Sequence, residues 1–159
     1  VYGQSKLEGE LAVFSVGCDA VIVRTSWLYS EFGNNFVKTM LRLGKERRKL
    51  NVVYDQVGTP TYATDLALAV IQILDNDFKG YNLYHYSNEG VLSWYDFAYE
   101  IFALSGMKVL VNPVESDLYP TPAKRPAYSV LSKEKIKSIG IQVPYWKESL
   151  VQCLSILNH

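Results

Sequence analysis

Tyr2 and Lys6 are the first residues whose types and spacing could do chemistry. Four positions apart, they share one face of a helix, one turn from each other. A phenol with a pKa of about 10 is a poor acid or base at neutral pH, and a nearby ammonium favours the phenolate and brings the proton within catalytic reach. The plain alternative is an amphipathic helix with a surface lysine. Thr25, Ser26 and Trp27 close an apolar run that begins at Ala20. An aromatic ring just past the end of a strand suits a ligand-facing role, although a core position is the commoner fate of Trp. Asn34 and Asn35 follow Gly33 and can cap a helix. Arg125 lies in a proline-rich stretch, where its guanidinium fork suits phosphate oxygens.

The elements that must position these groups show in the periodicity. Leu7, Leu11 and Phe14 form one stripe of a helix over residues 5–14, and Gly17 can end it. Residues 20–25 read as a strand of a parallel sheet covered on both faces, and ligands bind at the C-terminal edge of such sheets. The helix after Asn35 carries Phe36, Met40, Leu41 and Leu43 and closes in Lys45, Arg47, Arg48 and Lys49. That basic run reads as a solvated last turn complementing the helix dipole rather than as a phosphate site. A short strand is predicted at 51–54 and a turn-rich loop with Gly58 and Pro60 at 55–61. An apolar helix at 65–74 could be capped by Thr64 or Asp65, and an alternating strand follows at 81–86. Ser93 opens a helix at 94–104, Gly106 closes it, and residues 109–114 are a further strand. The proline-rich loop at 116–128 is longer than most connections, as binding loops and lids often are. Two helices, at 132–139 and 145–157, complete the chain. It has no internal repeat and no low-complexity segment.

Composition bounds the class. A length of 159 residues suits one domain, and 48% hydrophobic with 20% charged residues is ordinary for a globular protein. Sixteen basic and 16 acidic residues give no net charge and no basic footprint for a nucleic-acid partner. Cys18 and Cys153 are isolated, which fits buried thiols in a reducing compartment such as the cytoplasm better than a disulfide framework. With His85 and His159 the only histidines, a histidine-rich metal site is not expected. No apolar run is long enough to span a bilayer.

The ordered set Tyr2-Gly3-Gln4-Ser5-Lys6, Arg24-Thr25-Ser26-Trp27, Gly33-Asn34-Asn35-Phe36, Asp55 to Thr61 and Pro120 to Pro126 resembles the extended short-chain dehydrogenase/reductase family. Within it, the chain is most similar to the enzymes that reduce the 4-keto group of a dTDP-deoxysugar. The resemblance implies an α/β fold: the C-terminal part of a Rossmann-type doubly wound sheet plus a small substrate-binding lobe. Residues 1–32 would be the edge of the dinucleotide-binding domain and 33–159 mainly the lobe. It implies NADPH or NADH as cofactor and leaves magnesium open. Tyr2 would protonate the developing alkoxide, and Lys6 would hold the nicotinamide ribose, with Thr25 beside the cofactor. Trp27, Asn34 or Asn35, and Arg125 would hold the nucleotide sugar. No G-x-G-x-x-G motif occurs, so a pyrophosphate cradle and a third catalytic hydroxyl are expected upstream, in a longer enzyme. Without them the chain should self-associate and be catalytically silent. Two other readings stay open. One is an epimerase or dehydratase of the same family, against which Arg24-Thr25-Ser26-Trp27 counts. The other is a non-catalytic partner resembling the regulatory β subunit of methionine adenosyltransferase, against which Trp27 counts.

Overall fold

A computed structural model of the chain describes residues 2–76, 78–118 and 125–157. In chain order the elements are α1 (Tyr2–Val16), β1 (Ala20–Arg24), β2 (Leu28–Tyr29), α2 (Phe36–Glu46), β3 (Lys49–Val53), β4 (Val57–Gly58), β5 (Thr61–Tyr62) and α3 (Ala63–Asp75). Then come β6 (Tyr81–His85), β7 (Leu92–Ser93), α4 (Trp94–Leu104), β8 (Leu110–Val114), a 3₁₀ turn (Ser116–Leu118), α5 (Glu134–Ser138) and α6 (Trp146–Leu157).

Gly17 ends α1 in the left-handed region at φ 68°, and its N–H returns to the Phe14 carbonyl. Phe14 packs edge-on against Tyr81, the partner of Ala20, while Glu10 pairs with Arg24, so α1 lies antiparallel to β1. Its N-terminus therefore projects past the C-terminal end of the strand. Strand β1 pairs in parallel with β6 along all five residues, from Ala20 opposite Tyr81 to Arg24 opposite His85. Its only ladder partner among the described residues is β6, so it is half-buried rather than covered on both faces. Helix α1 buries none of its residues, and the expected core stripe of Leu7, Leu11 and Phe14 is exposed.

The remaining strands make short ladders: β2 with β5 and β3 with β8 in parallel, β4 with β7 antiparallel. Two apolar clusters result. The larger joins α2, α4, α6, β3 and β8 around Val37, Phe97, Ile101 and Leu150, all fully buried. The smaller joins Ile73 of α3, Tyr84 of β6 and Ile136 of α5 to Val21 and Val23 of β1. The hydrogen-bond ladder and the smaller cluster hold β6 and α3 to β1.

Local capping explains the helix starts. Asn35 Oδ1 accepts from the Lys38 N–H at 3.1 Å and opens α2, while Ser93 and Asp96 form a reciprocal capping box on α4. Helix α2 stops at Glu46, and Arg47 is already extended. The basic run expected to lie on one helical turn is thus divided, with Lys49 opening β3. Neither Thr64 nor Asp65 caps α3, whose N-cap is Tyr62 with no side-chain bond. Asp65 is instead drawn inward by two polar partners distant in sequence. Its Oδ2 accepts from Asn88 Nδ2 at 2.6 Å and from the Ser149 hydroxyl at 2.5 Å. Buried together, the three satisfy one another, as buried polar groups must.

Candidate functional site

Glu10 of α1 meets Arg24 at the end of β1 in a two-pronged pair, Nε to Oε1 at 2.8 Å and Nη2 to Oε2 at 2.6 Å. From that anchor the helix continues eight residues toward its N-terminus, about 12 Å at a helical rise of 1.5 Å per residue. Tyr2 and Lys6 therefore stand beyond the C-terminal edge of β1. Tyr2 is 76% exposed, and the Lys6 ammonium lies over its ring, 5.6 Å from the centroid. A cation at that distance over an aromatic face is attracted to it. The spacing expected from sequence is thus realised as contact.

At the same edge the chain turns through Thr25, Ser26 and Trp27, and side chains fasten the turn to the 59–61 loop. Thr25 Oγ1 donates to Thr61 Oγ1 at 3.0 Å, and Thr61 Oγ1 in turn donates to the Ser26 carbonyl at 2.7 Å. The Ser26 hydroxyl donates to the Thr59 carbonyl at 2.9 Å, and the Thr61 N–H to the Trp27 carbonyl at 3.2 Å. Trp27 is held at φ 48°, the one non-glycine residue with positive φ among those described. A bulky side chain in that region stores strain, and such outliers collect at functional sites. Its indole stacks on Trp94, with centroids 3.6 Å apart and planes 12° from parallel. Gly58 is required behind it, because a Cβ there would fall 2.7 Å from the Trp27 ring.

Trp94 also meets Phe36, centroid to centroid at 4.6 Å. These two rings line a cavity of about 390 Å³ together with Met40, Val52 and Val53 and the polar Asn51, Gln56 and Arg125. An apolar pocket with a few polar groups and a cation at its rim is the common form of a small-molecule site. Below it, the Ser116 N–H and hydroxyl both donate to the Asp55 carboxylate, holding its pKa below the ordinary value and fixing the start of the proline-rich loop. The part of that loop at 119–124, which carries most of the Pro120 to Pro126 motif, lies outside the described residues.

Of the residues singled out in the sequence, Arg125 lines the cavity, while Trp27 stands behind it through Trp94. Tyr2, Lys6 and Thr25 lie along the strand edge and not in its walls. Asn35 is occupied: its Oδ1 caps α2 and its Nδ2 donates to the carbonyls of Ser30 and Phe32. Asn34 is exposed and makes no hydrogen bond among the described residues. Trp94, Gln56 and Asn51 went unnoticed as site residues in the sequence. Trp94 had one signal, a large aromatic directly after the N-cap Ser93, where a helix begins beside a strand edge. Among the described residues no group of three His, Cys, Asp or Glu stands together to hold a metal. No helix there is long and apolar enough to cross a membrane.

A profile of the family described as RmlD substrate binding domain matches residues 1–159. The dTDP-4-dehydrorhamnose reductase of Aggregatibacter actinomycetemcomitans is 47% identical over 161 residues, which take in 94% of this chain and 55% of the relative. The crystal structure of a dTDP-4-dehydrorhamnose reductase ortholog from Clostridium acetobutylicum superposes with a TM-score of 0.94 at 47% identity, covering 99% of this chain and 56% of that one. The corresponding enzyme of Bacillus anthracis, solved in complex with NADP, gives a TM-score of 0.91 at 44% identity, covering 98% and 54%. This chain belongs to the RmlD substrate binding domain family. It spans about half the length of the curated relatives it matches. Its fold is α/β, matching the Rossmann-like fold of those reductases over about half of their length.

Proposed function

We propose that the chain is the catalytic-helix and substrate-binding half of a dTDP-4-dehydrorhamnose reductase. The longer protein would use NADPH or NADH to reduce the 4-keto group of dTDP-4-dehydro-6-deoxy-L-mannose to dTDP-L-rhamnose. The observation that carries the reading is the Lys6 ammonium seated over the Tyr2 ring beyond the sheet edge. A positioned phenol with a cation against it is a proton donor for a developing alkoxide. The named reductases among the relatives, and the NADP complex of one of them, support the reaction class and the cofactor.

When bound, the nicotinamide supplies the hydride. Tyr2 and Lys6 are open to receive its ribose end, and Thr25 stands at the same edge. The Tyr2 hydroxyl gives its proton to the sugar oxygen. Lys6 keeps positive charge against the phenol as it ionises. The cavity takes the nucleotide: Trp94 and Phe36 offer flat apolar faces, and Arg125 offers its fork to a phosphate. Trp27, backed by Trp94, meets the sugar between cavity and Tyr2. Asn34 is the better placed of the two asparagines for a ligand, since Asn35 is already used within the chain.

We assign α1, β1, β6 and α3 to the edge of the dinucleotide-binding domain and the cluster of α2, α4, α6, β3 and β8 to the substrate lobe. We place the protein in the cytoplasm, where an exposed thiol such as Cys18 stays reduced. Calorimetry on the full-length protein tests the assignment. Trp27→Ala and Arg125→Ala should each weaken binding of the dTDP-sugar, Arg125→Ala by the roughly 1.5–3 kcal/mol of a charge-assisted bond, with NADPH binding unchanged. Equal losses for both ligands would mean unfolding and would remove these residues from the site.

A further inference from the structure

The first ten residues contain two carboxylates, Glu8 and Glu10, beside the lysine on which the proposed chemistry depends. On a helix, Lys6 and Glu10 are four apart and neighbours on one face, so an unpaired Glu10 is within reach of the Lys6 ammonium. The pull would be directed away from Tyr2, which lies one turn to the other side. The structure gives both carboxylates other partners. Gln4 Nε2 donates to Glu8 Oε1 at 2.9 Å. Arg24 takes both oxygens of Glu10, at 2.8 and 2.6 Å. Lys6 is left over the Tyr2 ring.

The Glu10–Arg24 pair differs from an ordinary surface ion pair. The Glu10 side chain is only 13% exposed. Both prongs of the guanidinium are engaged, the geometry in which Arg and carboxylate are most strongly held. Arg24 ends β1, directly before Thr25 and Trp27, so the pair joins the helix carrying Tyr2 to the strand carrying the sugar-facing turn. The same bond from Arg24 holds the Glu10 pKa below its ordinary value, with His85 on β6 adding in the same sense. Glu10 therefore keeps its charge through the neutral range, and the Arg24 guanidinium is the cation that faces it.

We propose that Arg24 is a positioning residue for catalysis: by occupying the Glu10 carboxylate it keeps Lys6 for Tyr2. This rests on the reading of Tyr2 and Lys6 given above. It assigns to Arg24 a role through charge in addition to any role in fastening the helix. The two roles separate in a double variant. A purely structural clasp, once broken, stays broken when its second half is removed. A charge competitor ceases to act when it is removed.

The test is steady-state reduction of the keto sugar by the full-length protein carrying this chain. Arg24→Met should lower kcat about tenfold, a part of the 10²–10⁴-fold that a positioned proton donor supplies, while KM for the nucleotide sugar stays within about twofold. Combining Arg24→Met with Glu10→Gln should restore most of the lost kcat. If Arg24→Met does not fold, Arg24→Gln, which keeps one hydrogen bond to Glu10 without the charge, is read by the same criteria. A double variant as slow as the single, or a single variant that loses thermal stability but no turnover, would overturn the proposal. Tyr2→Phe, measured alongside, separates the failures. If it is slow while the Arg24 variants behave as clasp mutants, only the role of Arg24 falls. If it is as fast as wild type, the reading of Tyr2 falls first.

Discussion

Trp27 shows how much of this site rests on single residues. Its backbone sits at φ 48°, a conformation that costs a bulky residue on the order of 1–3 kcal/mol and persists only where the surroundings over-determine it. The stack on Trp94, the bond from the Thr61 N–H and the bare Cα of Gly58 provide that determination. Gly58→Ala should push the indole off Trp94, because the new methyl would start 2.7 Å from it. The expected result is dTDP-sugar affinity reduced roughly tenfold, about 1.4 kcal/mol, with the NADPH affinity kept. Unchanged dTDP-sugar binding would show that the position of Trp27 is not fixed from behind. The two thiols give a simpler check. Burial pushes the Cys153 thiol up to about 12, while Cys18 is exposed. A maleimide at neutral pH should therefore label Cys18 and spare Cys153 until the chain unfolds, since the thiolate is the reactive form. Labelling of both at equal rates in native buffer would contradict the buried placement of α6.

At the scale of elements, the buried triad of Asp65, Asn88 and Ser149 ties α3, the segment after β6 and α6 to one point. Asn88 also accepts from the Tyr62 N–H at 2.8 Å, and its carbonyl receives Lys133 Nζ at 3.2 Å. Its own N–H donates to the Pro60 carbonyl, so the loop behind Trp27 hangs from it. Asn88→Ala leaves a buried carboxyl group and a buried N–H short of partners. It should cost about 2–4 kcal/mol, read as a lower denaturant midpoint with unchanged slope. A loss under 1 kcal/mol would mean that water replaces the amide freely.

None of that triad is legible in the sequence, where its members are separated by 23 to 84 positions. Asp65 looked like a helix cap, because an acid at the start of an apolar helix usually is one. Local signals did serve where the interaction is local: Gly17 ends α1, and Ser93 caps α4 with Asp96. The alternation at 81–86 gave β6, but not that β6 would pair with β1 across nearly 60 residues. The Tyr2–Lys6 contact was legible because it lies within one helical turn. The Trp27–Trp94 stack was not, because each tryptophan had a sufficient local reason for its place. Strands β2, β4 and β5 are two residues long and carry no period at all.

The whole molecule is lopsided in its burial. The lobe around Phe97 and Ile101 is closed, whereas α1 leaves Tyr2, Leu11, Phe14 and Val16 exposed and buries nothing. Exposed apolar side chains gathered on one helix favour association. The 159-residue chain in isolation should therefore form dimers or larger species, and light scattering that found only monomer would refute this. It should also fail to reduce the keto sugar alone, since it has no Gly-rich loop to hold a pyrophosphate.

The central claim is that this chain brings the proton donor of a sugar-nucleotide reductase, and Tyr2→Phe in the full-length protein tests it most directly. The change keeps the ring under Lys6 and removes only the hydroxyl. Followed as keto-sugar-dependent oxidation of NADPH, turnover should fall by about 10²–10⁴-fold while calorimetry shows dTDP binding within twofold of wild type. A Phe variant that turns over at the wild-type rate would contradict the account.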